Sequence, residues 1–208
     1  MEAILNLYHE PLDVKYPVVC MDEACKELLT ECVLPLPPRP GYPARQDYPY
    51  SQVGSVQLFV YFCPLLAWRE VFCFPHRTHR AWAFTIRELV RSMPPAKRIR
   101  LVMDNLNTHR LASLYRVFPA AEARSLARKL EFHYTPVHGS WLNMAEIEIG
   151  ALKLQCLDRR LADPQLVASE VAAWCARRNL FQSTVHWQFT TPDARIKLHR
   201  LYPHFDAW

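Results

Sequence analysis

Ile99-Arg100-Leu101-Val102-Met103-Asp104 is a mostly apolar run closed by a carboxylate, and what surrounds it decides the architecture. Short, rich in branched residues and bounded by polar sequence, it has the pattern of a buried strand. Upstream, Thr78 to Ser92 repeats apolar residues at helical spacing through Trp82, Ile86, Leu89 and Val90, until Pro94-Pro95 stops it. A helix leading into a buried strand is a crossover, which returns the chain parallel to an earlier strand of the same sheet.

Working outward, Tyr16-Pro17-Val18-Val19-Cys20-Met21-Asp22 is a second apolar run closed by an acid, and residues 1–15 form a lead-in with no clear element of their own. Ser55 to Cys63 and Trp68 to Phe74 read as strands joined by a turn around Pro64, which completes an antiparallel meander with the first strand. Between them, Val33 to Tyr50 carries Pro35, Pro37, Pro38, Pro40, Pro43 and Pro49 and should be an extended loop. Downstream, His109 to Phe118 and Ala120 to Leu130 are helical and broken at Pro119, and Glu131 to Tyr134 is a short strand. Ser140 can cap a helix continuing through Leu157, with further helices over Pro164 to Arg178 and Asp193 to Leu201.

This order predicts an α/β fold with a mixed central sheet, a three-strand antiparallel meander plus parallel strands, and helices on both faces: the ribonuclease-H-like layout. Residues 16–163 form its main domain, and 164–208 form a helical extension packed on it. In such a sheet Asp22 and Asp104 lie on adjacent central strands, and the helix after the last strand can bring Glu146 to the same edge. A buried carboxylate is normally paired, protonated or bound to a metal, so three in similar apolar settings suggest one metal site. At about 100° per residue, Leu142, Ala145, Ile149, Leu152 and Cys156 define an apolar arc; Glu146 lies within or beside it, and Glu148 points roughly opposite to Glu146.

Composition narrows the partners. The chain has 208 residues, half of them hydrophobic, enough for a real core. Only Gly41, Gly54, Gly139 and Gly150 are present, too few for a phosphate-cradling loop, so no nucleotide cofactor is expected. There is no membrane-length apolar stretch and no signal peptide, and seven cysteines without a Cys-x-x-Cys pair suit free thiols. A cytoplasmic, nucleoid-associated protein is expected. Residues 76–130 carry twelve Lys/Arg against three Asp/Glu, whereas residues 1–75 carry five against nine. A basic middle third suits either phosphate binding or a solvated helical surface.

Beyond these physical signals, the chain resembles the catalytic domain of bacterial insertion-sequence transposases allied with the mariner superfamily, the DDE endonucleases. The matching blocks are Val18 to Glu23, Leu101 to His109, Glu131 to Glu148 around Ser140-Trp141-Leu142-Asn143-Met144-Ala145-Glu146, and Trp174 to Asn179, with Trp187 to Leu198 in the tail. The resemblance implies that Asp22, Asp104 and Glu146 are the catalytic acids. It implies metal-dependent cleavage at transposon ends and joining of the 3′ hydroxyl to target DNA, with a homodimer as the acting unit. A non-catalytic DNA-binding remnant and a nuclease without strand transfer are the alternatives.

Carboxylates suit two Mg²⁺ or Mn²⁺ ions, about 3.5–4 Å apart, that assist an in-line displacement. Asp22 would bridge both ions, Asp104 complete one site and Glu146 the other. Among neighbours, Asn105 and His109 can orient water or phosphate or stabilise a turn. Trp141 can stack on an unpaired base or fill the core, and Lys153 can meet a DNA phosphate or simply face solvent.

Overall fold

The computed structural model describes residues 1–33, 36–45, 49–105 and 109–202. Its centre is a five-stranded sheet in the order β3-β2-β1-β4-β5, formed by β1 (Val18–Glu31), β2 (Tyr50–Cys63), β3 (Trp68–Phe74), β4 (Ile99–Met103) and β5 (Leu130–Tyr134). The first three strands pair antiparallel, while β4 runs parallel to both β1 and β5. This is the ribonuclease-H-like arrangement that the crossover helix predicts.

Alternation along the strands divides the core between two faces. Val19 and Met21 of β1, with Phe59 and Tyr61 of β2 and Leu101 and Met103 of β4, face α2 (His79–Ser92), α3 (Leu111–Val117) and α4 (Ala120–Arg128). On the other face Ala24, Leu28, Val56, Leu58 and Val60 meet α5 (Ala145–Leu152) and α6 (Pro164–Leu180). A third cluster joins Val18, Cys20, Phe62 and Val102 to α1 (Glu2–Tyr8) and α7 (Thr191–Lys197). Thr78 caps α2 by accepting from the Ala81 amide, and a capping box at Thr190 and Asp193 starts α7. Among the described residues no helix is long and apolar enough to cross a membrane.

Three expectations need correction. The lead-in contains a helix, α1, whose Ile4, Leu5, Leu7 and Tyr8 are all buried. Seven residues give little periodicity, and packing against α7 and the sheet stabilises what local pattern leaves marginal. The first strand does not close at Asp22 but continues to Glu31. Its polar second half is held by β2, from Ala24 opposite Leu58 to Glu31 opposite Tyr50, and only Ala24 and Leu28 there are buried. Nor is the segment from Ser140 to Leu157 one helix. A 3₁₀ turn (Ser140–Leu142) precedes α5, and a π-helical turn (Lys153–Leu157) follows it. In the proline-rich segment, Leu36 bridges Arg45 and Arg39 bridges Tyr42, while Pro35 lies outside the described residues.

Candidate active site

Parallel pairing of β1 with β4 runs from Val18 opposite Arg100 to Cys20 opposite Val102 and goes no further. Asp22 and Asp104 lie just past that point, each two residues beyond the last paired position. On the opposite flank of β1, α5 begins at Ala145 and carries Glu146 in its first turn. Asp104 and Glu146 both lie near enough for their charges to act on Asp22. Burial pushes the Asp22 carboxyl up to about 6; a bond from the Glu23 amide opposes this, and the charges of Glu146 and Asp104 add to the rise. Asp22 thus senses both of the other acids.

The acids differ in exposure from what the sequence suggests. Asp22 is half-buried, the Asp104 side chain is 40% exposed, and Glu146 is exposed. The buried face of α5 is Ala145, Glu148, Ile149 and Leu152, so Glu148, not Glu146, lies on the apolar arc. Its burial is made possible by two cations from distant segments. Arg69 of β3 stands 2.7 Å from Glu148 Oε1, with both side chains fully buried, and Arg178 of α6 donates to the same carboxylate at 2.9 and 3.3 Å. Burial draws the Arg69 pKa down, opposed by the Glu148 charge. Asn179 completes the cluster, accepting from the Arg69 amide at 2.9 Å and donating to its carbonyl at 2.9 Å, and Arg69 also donates to the Ser183 carbonyl.

One residue ties Asp22 to the helix that bears Glu146. Asn143 is buried, and its Nδ2 donates to the Met21 carbonyl at 2.8 Å and to Asp22 Oδ2 at 3.3 Å. Its Oδ1 accepts from the Ala145 amide at 3.2 Å, and its carbonyl accepts from the Glu146 amide at 3.0 Å. The sequence pattern alone assigns Asn143 no role. The available signal was its place in an apolar block, where a buried amide needs partners. Tyr8 braces the same turn by donating to the Leu142 carbonyl at 2.7 Å.

His109 is also buried, and it bridges two acids. Its Nδ1 lies 3.3 Å from Asp104 Oδ1 and its Nε2 lies 3.1 Å from Glu23 Oε1. Trp82 stacks on its ring at 5.6 Å. Burial disfavours the charged imidazole, but the bonds to Asp104 and Glu23 outweigh that and raise its pKa. Arg77 lies 3.2 Å from Glu23 Oε2, so Glu23 extends the network back toward α2. Neither Glu23 nor Arg77 was singled out from the sequence.

The remaining candidates are more peripheral. Asn105 is exposed, and residues 106–108 after it lie outside the described residues. Trp141 is not a core residue: it is 43% exposed and meets Phe189 edge-on at 5.8 Å. Lys153 is exposed at the start of the π-helical turn, beside a groove it shares with Lys26 and Leu29.

Chemically, the donor set is three carboxylates, hard oxygen ligands suited to Mg²⁺ or Mn²⁺. Burial, with smaller contributions from the charges of Glu146 and Asp104, disfavours the Asp22 carboxylate, a cost that a bound cation would offset. Among the described residues no three His, Cys, Asp or Glu side chains already stand close enough to hold a metal ion.

A family model described as DDE superfamily endonuclease matches residues 17–166. Among solved structures, the chain is similar to the Mos1 mariner paired end complex with Mn, at 16% identity and a TM-score of 0.56, over 87% of this chain and 54% of that one. It is likewise similar to a pre-cleavage Mos1 transpososome, at 15% identity and a TM-score of 0.56, over 87% and 55% of the two chains. The chain thus spans about half the length of these structures, and at such identities the likeness is one of fold. No curated protein matches the chain by sequence.

Proposed function

Because the chain belongs to the DDE superfamily endonuclease family, we propose that Asp22, Asp104 and Glu146 are its catalytic acids and that it cuts DNA at transposon ends and joins the 3′ hydroxyl to target DNA. The observation carrying this reading is the position of Asp22 and Asp104, each two residues past the last β1–β4 pair, with Asn143 joining Asp22 to the turn that starts the Glu146 helix. Bound by these three residues, two Mg²⁺ or Mn²⁺ ions would supply Lewis-acid activation of the attacking oxygen and neutralise charge developing on the phosphate. The chain's own residues set the geometry. Asn143 holds Asp22 against the start of α5, and His109 fixes Asp104 from the side of β4.

In this reading residues 16–163 are the catalytic unit and 164–208 brace it through Arg178 and Asn179. Transposon ends and target DNA are the substrates, and a homodimer is the unit that pairs two ends. The exposed Trp141 is available to stack on a base freed near the cut, and Asn105 and Lys153 to contact phosphate.

The test is a nicking and strand-transfer assay on labelled DNA with Mg²⁺, Mn²⁺ or Ca²⁺. Asp22→Asn, Asp104→Asn and Glu146→Gln should each lower cutting by roughly a thousandfold or more, the several kcal/mol that such stabilisation contributes. Cutting that survives all three changes eliminates the mechanism. Cutting without joining would favour a nuclease, and metal-independent binding without cutting a remnant.

A further inference from the structure

The basic middle of the chain splits into two populations. On and around α2 the cations are spent within the fold: Arg87 lies near Glu88 and Glu122, Arg91 near Glu88, Arg77 near Glu23, and Arg98 near Glu131. Around α4 they are not. Lys97, Arg124, Arg128 and Lys129, with Ser125, line a shallow hollow of about 500 Å³, and among the described residues no carboxylate lines it. Lys15 lies alongside, its carbonyl accepting from the Lys97 amide at 2.8 Å. Lys97, Arg124 and Arg128 are exposed. The acids nearest in sequence, Glu122 and Glu131, are turned to Arg87 and Arg98 at 3.9 Å.

Internal structure accounts for only part of this cluster. Lys129 donates to the Ala96 carbonyl at 2.5 Å, and Arg128 lies in the last turn of α4, where a cation suits the helix dipole. Arg124 and Lys97 have neither role. Arg124 and Arg128 also stand four residues apart on one helix, a like-charge pairing that is destabilising by itself. An uncompensated cluster of this kind, with a hydroxyl donor among it, is matched to an external polyanion.

We propose that this hollow is a second DNA contact, which grips the phosphate backbone of the duplex whose other part occupies the acidic site; the proposal rests on the DNA-cutting function put forward above. The fold sets its reach. Lys97 precedes β4 and Asp104 follows it, so hollow and acids lie at opposite ends of one strand, about 23 Å apart at ~3.3 Å per residue. A duplex therefore has to extend about seven base pairs from the cut phosphate to meet both, at 3.4 Å per base pair along each strand.

The test is fluorescence anisotropy of a 30-base-pair duplex from 50 to 200 mM salt, with Ca²⁺ present, on the wild type and the Arg124→Gln/Arg128→Gln double variant. Both changed residues are exposed and Gln is a good helix former, so an unchanged melting curve verifies the fold. The slope of log affinity against log salt should shrink by about 1.8, with roughly ten- to a hundredfold weaker binding at 0.1 M salt, the expectation for two lost phosphate contacts. A slope equal to that of the wild type overturns the proposal. So does loss of binding to phosphatidylglycerol vesicles with DNA binding intact, which would assign the hollow to a membrane surface. Metal-dependent cutting by the wild type, read on a gel from the same preparation, separates the two claims: its absence sinks the proposed function and not the salt result.

Discussion

Asp22 carries opposing demands. Its folded pKa of about 6 lies above the ordinary aspartate value of 3.8, because burial and two neighbouring acids disfavour the charged form. A raised carboxylate pKa means that the folded state binds the proton more tightly, so the stability tied to it is full below about pH 4. It is lost as pH rises through about 6. Two units correspond to about 3 kcal/mol, and discounting for the exposed part of the group leaves about 1–2 kcal/mol at neutral pH. Asp22→Asn should therefore raise the melting temperature at pH 8 by about 3–6 °C while abolishing cutting. In the wild type, Mg²⁺ should bind more weakly as pH falls below about 6, where a proton competes for the same oxygen. Calorimetric scans and titrations across pH 5 to 8 check both, and a melting point lowered by Asp22→Asn would contradict the charge account. Asn143→Ala should cost about 1–3 kcal/mol, because the Met21 carbonyl and the Ala145 amide lose buried partners. If Asn143 positions Asp22, the variant also needs more Mg²⁺ or Mn²⁺ for half-maximal cutting. A purely structural role would leave that requirement unchanged.

At the scale of elements, the ion cluster on α5 makes the clearest prediction. Removing Glu148 leaves the fully buried Arg69 without its carboxylate, so Glu148→Ala should destabilise by about 3–5 kcal/mol in urea unfolding. Arg69→Met/Glu148→Leu should cost less than either single change, because it removes the isolated charge; costs that simply add would mean the pair is not coupled. This cluster also marks the limit of what one helix discloses. Periodicity correctly opposes Glu146 and Glu148 but assigns the buried side to the wrong one, since the apolar rule has no knowledge of an arginine on a distant strand or of one 30 residues downstream. The same limit explains β1. Its apolar half is readable from Val18 to Met21, while in the half held mainly by β2 the charged Lys26, Glu27 and Glu31 interrupt the apolar pattern. Where an apolar pattern makes an element, as in α2 and β4, reading and structure agree to within a residue or two.

At the scale of the whole molecule, topology was more legible than local detail, because one crossover fixes which strands run parallel. What local sequence could not disclose was how the ends close the structure. Glu2 pairs with Arg195, and Asn6 accepts from the Thr191 hydroxyl, so α1 and α7 cover the sheet where Tyr8 braces the turn before Asn143. The early end of β1–β4 pairing has a consequence of its own. Past Cys20 and Val102 the pairing stops because β4 itself ends at Met103, while β1 runs on beside β2 to Glu31. Asp22 thus keeps a strand neighbour, Val60, on one flank and none on the other, a product of unequal strand lengths. Changes that extend β4 along β1 would cover that open flank without altering any acid.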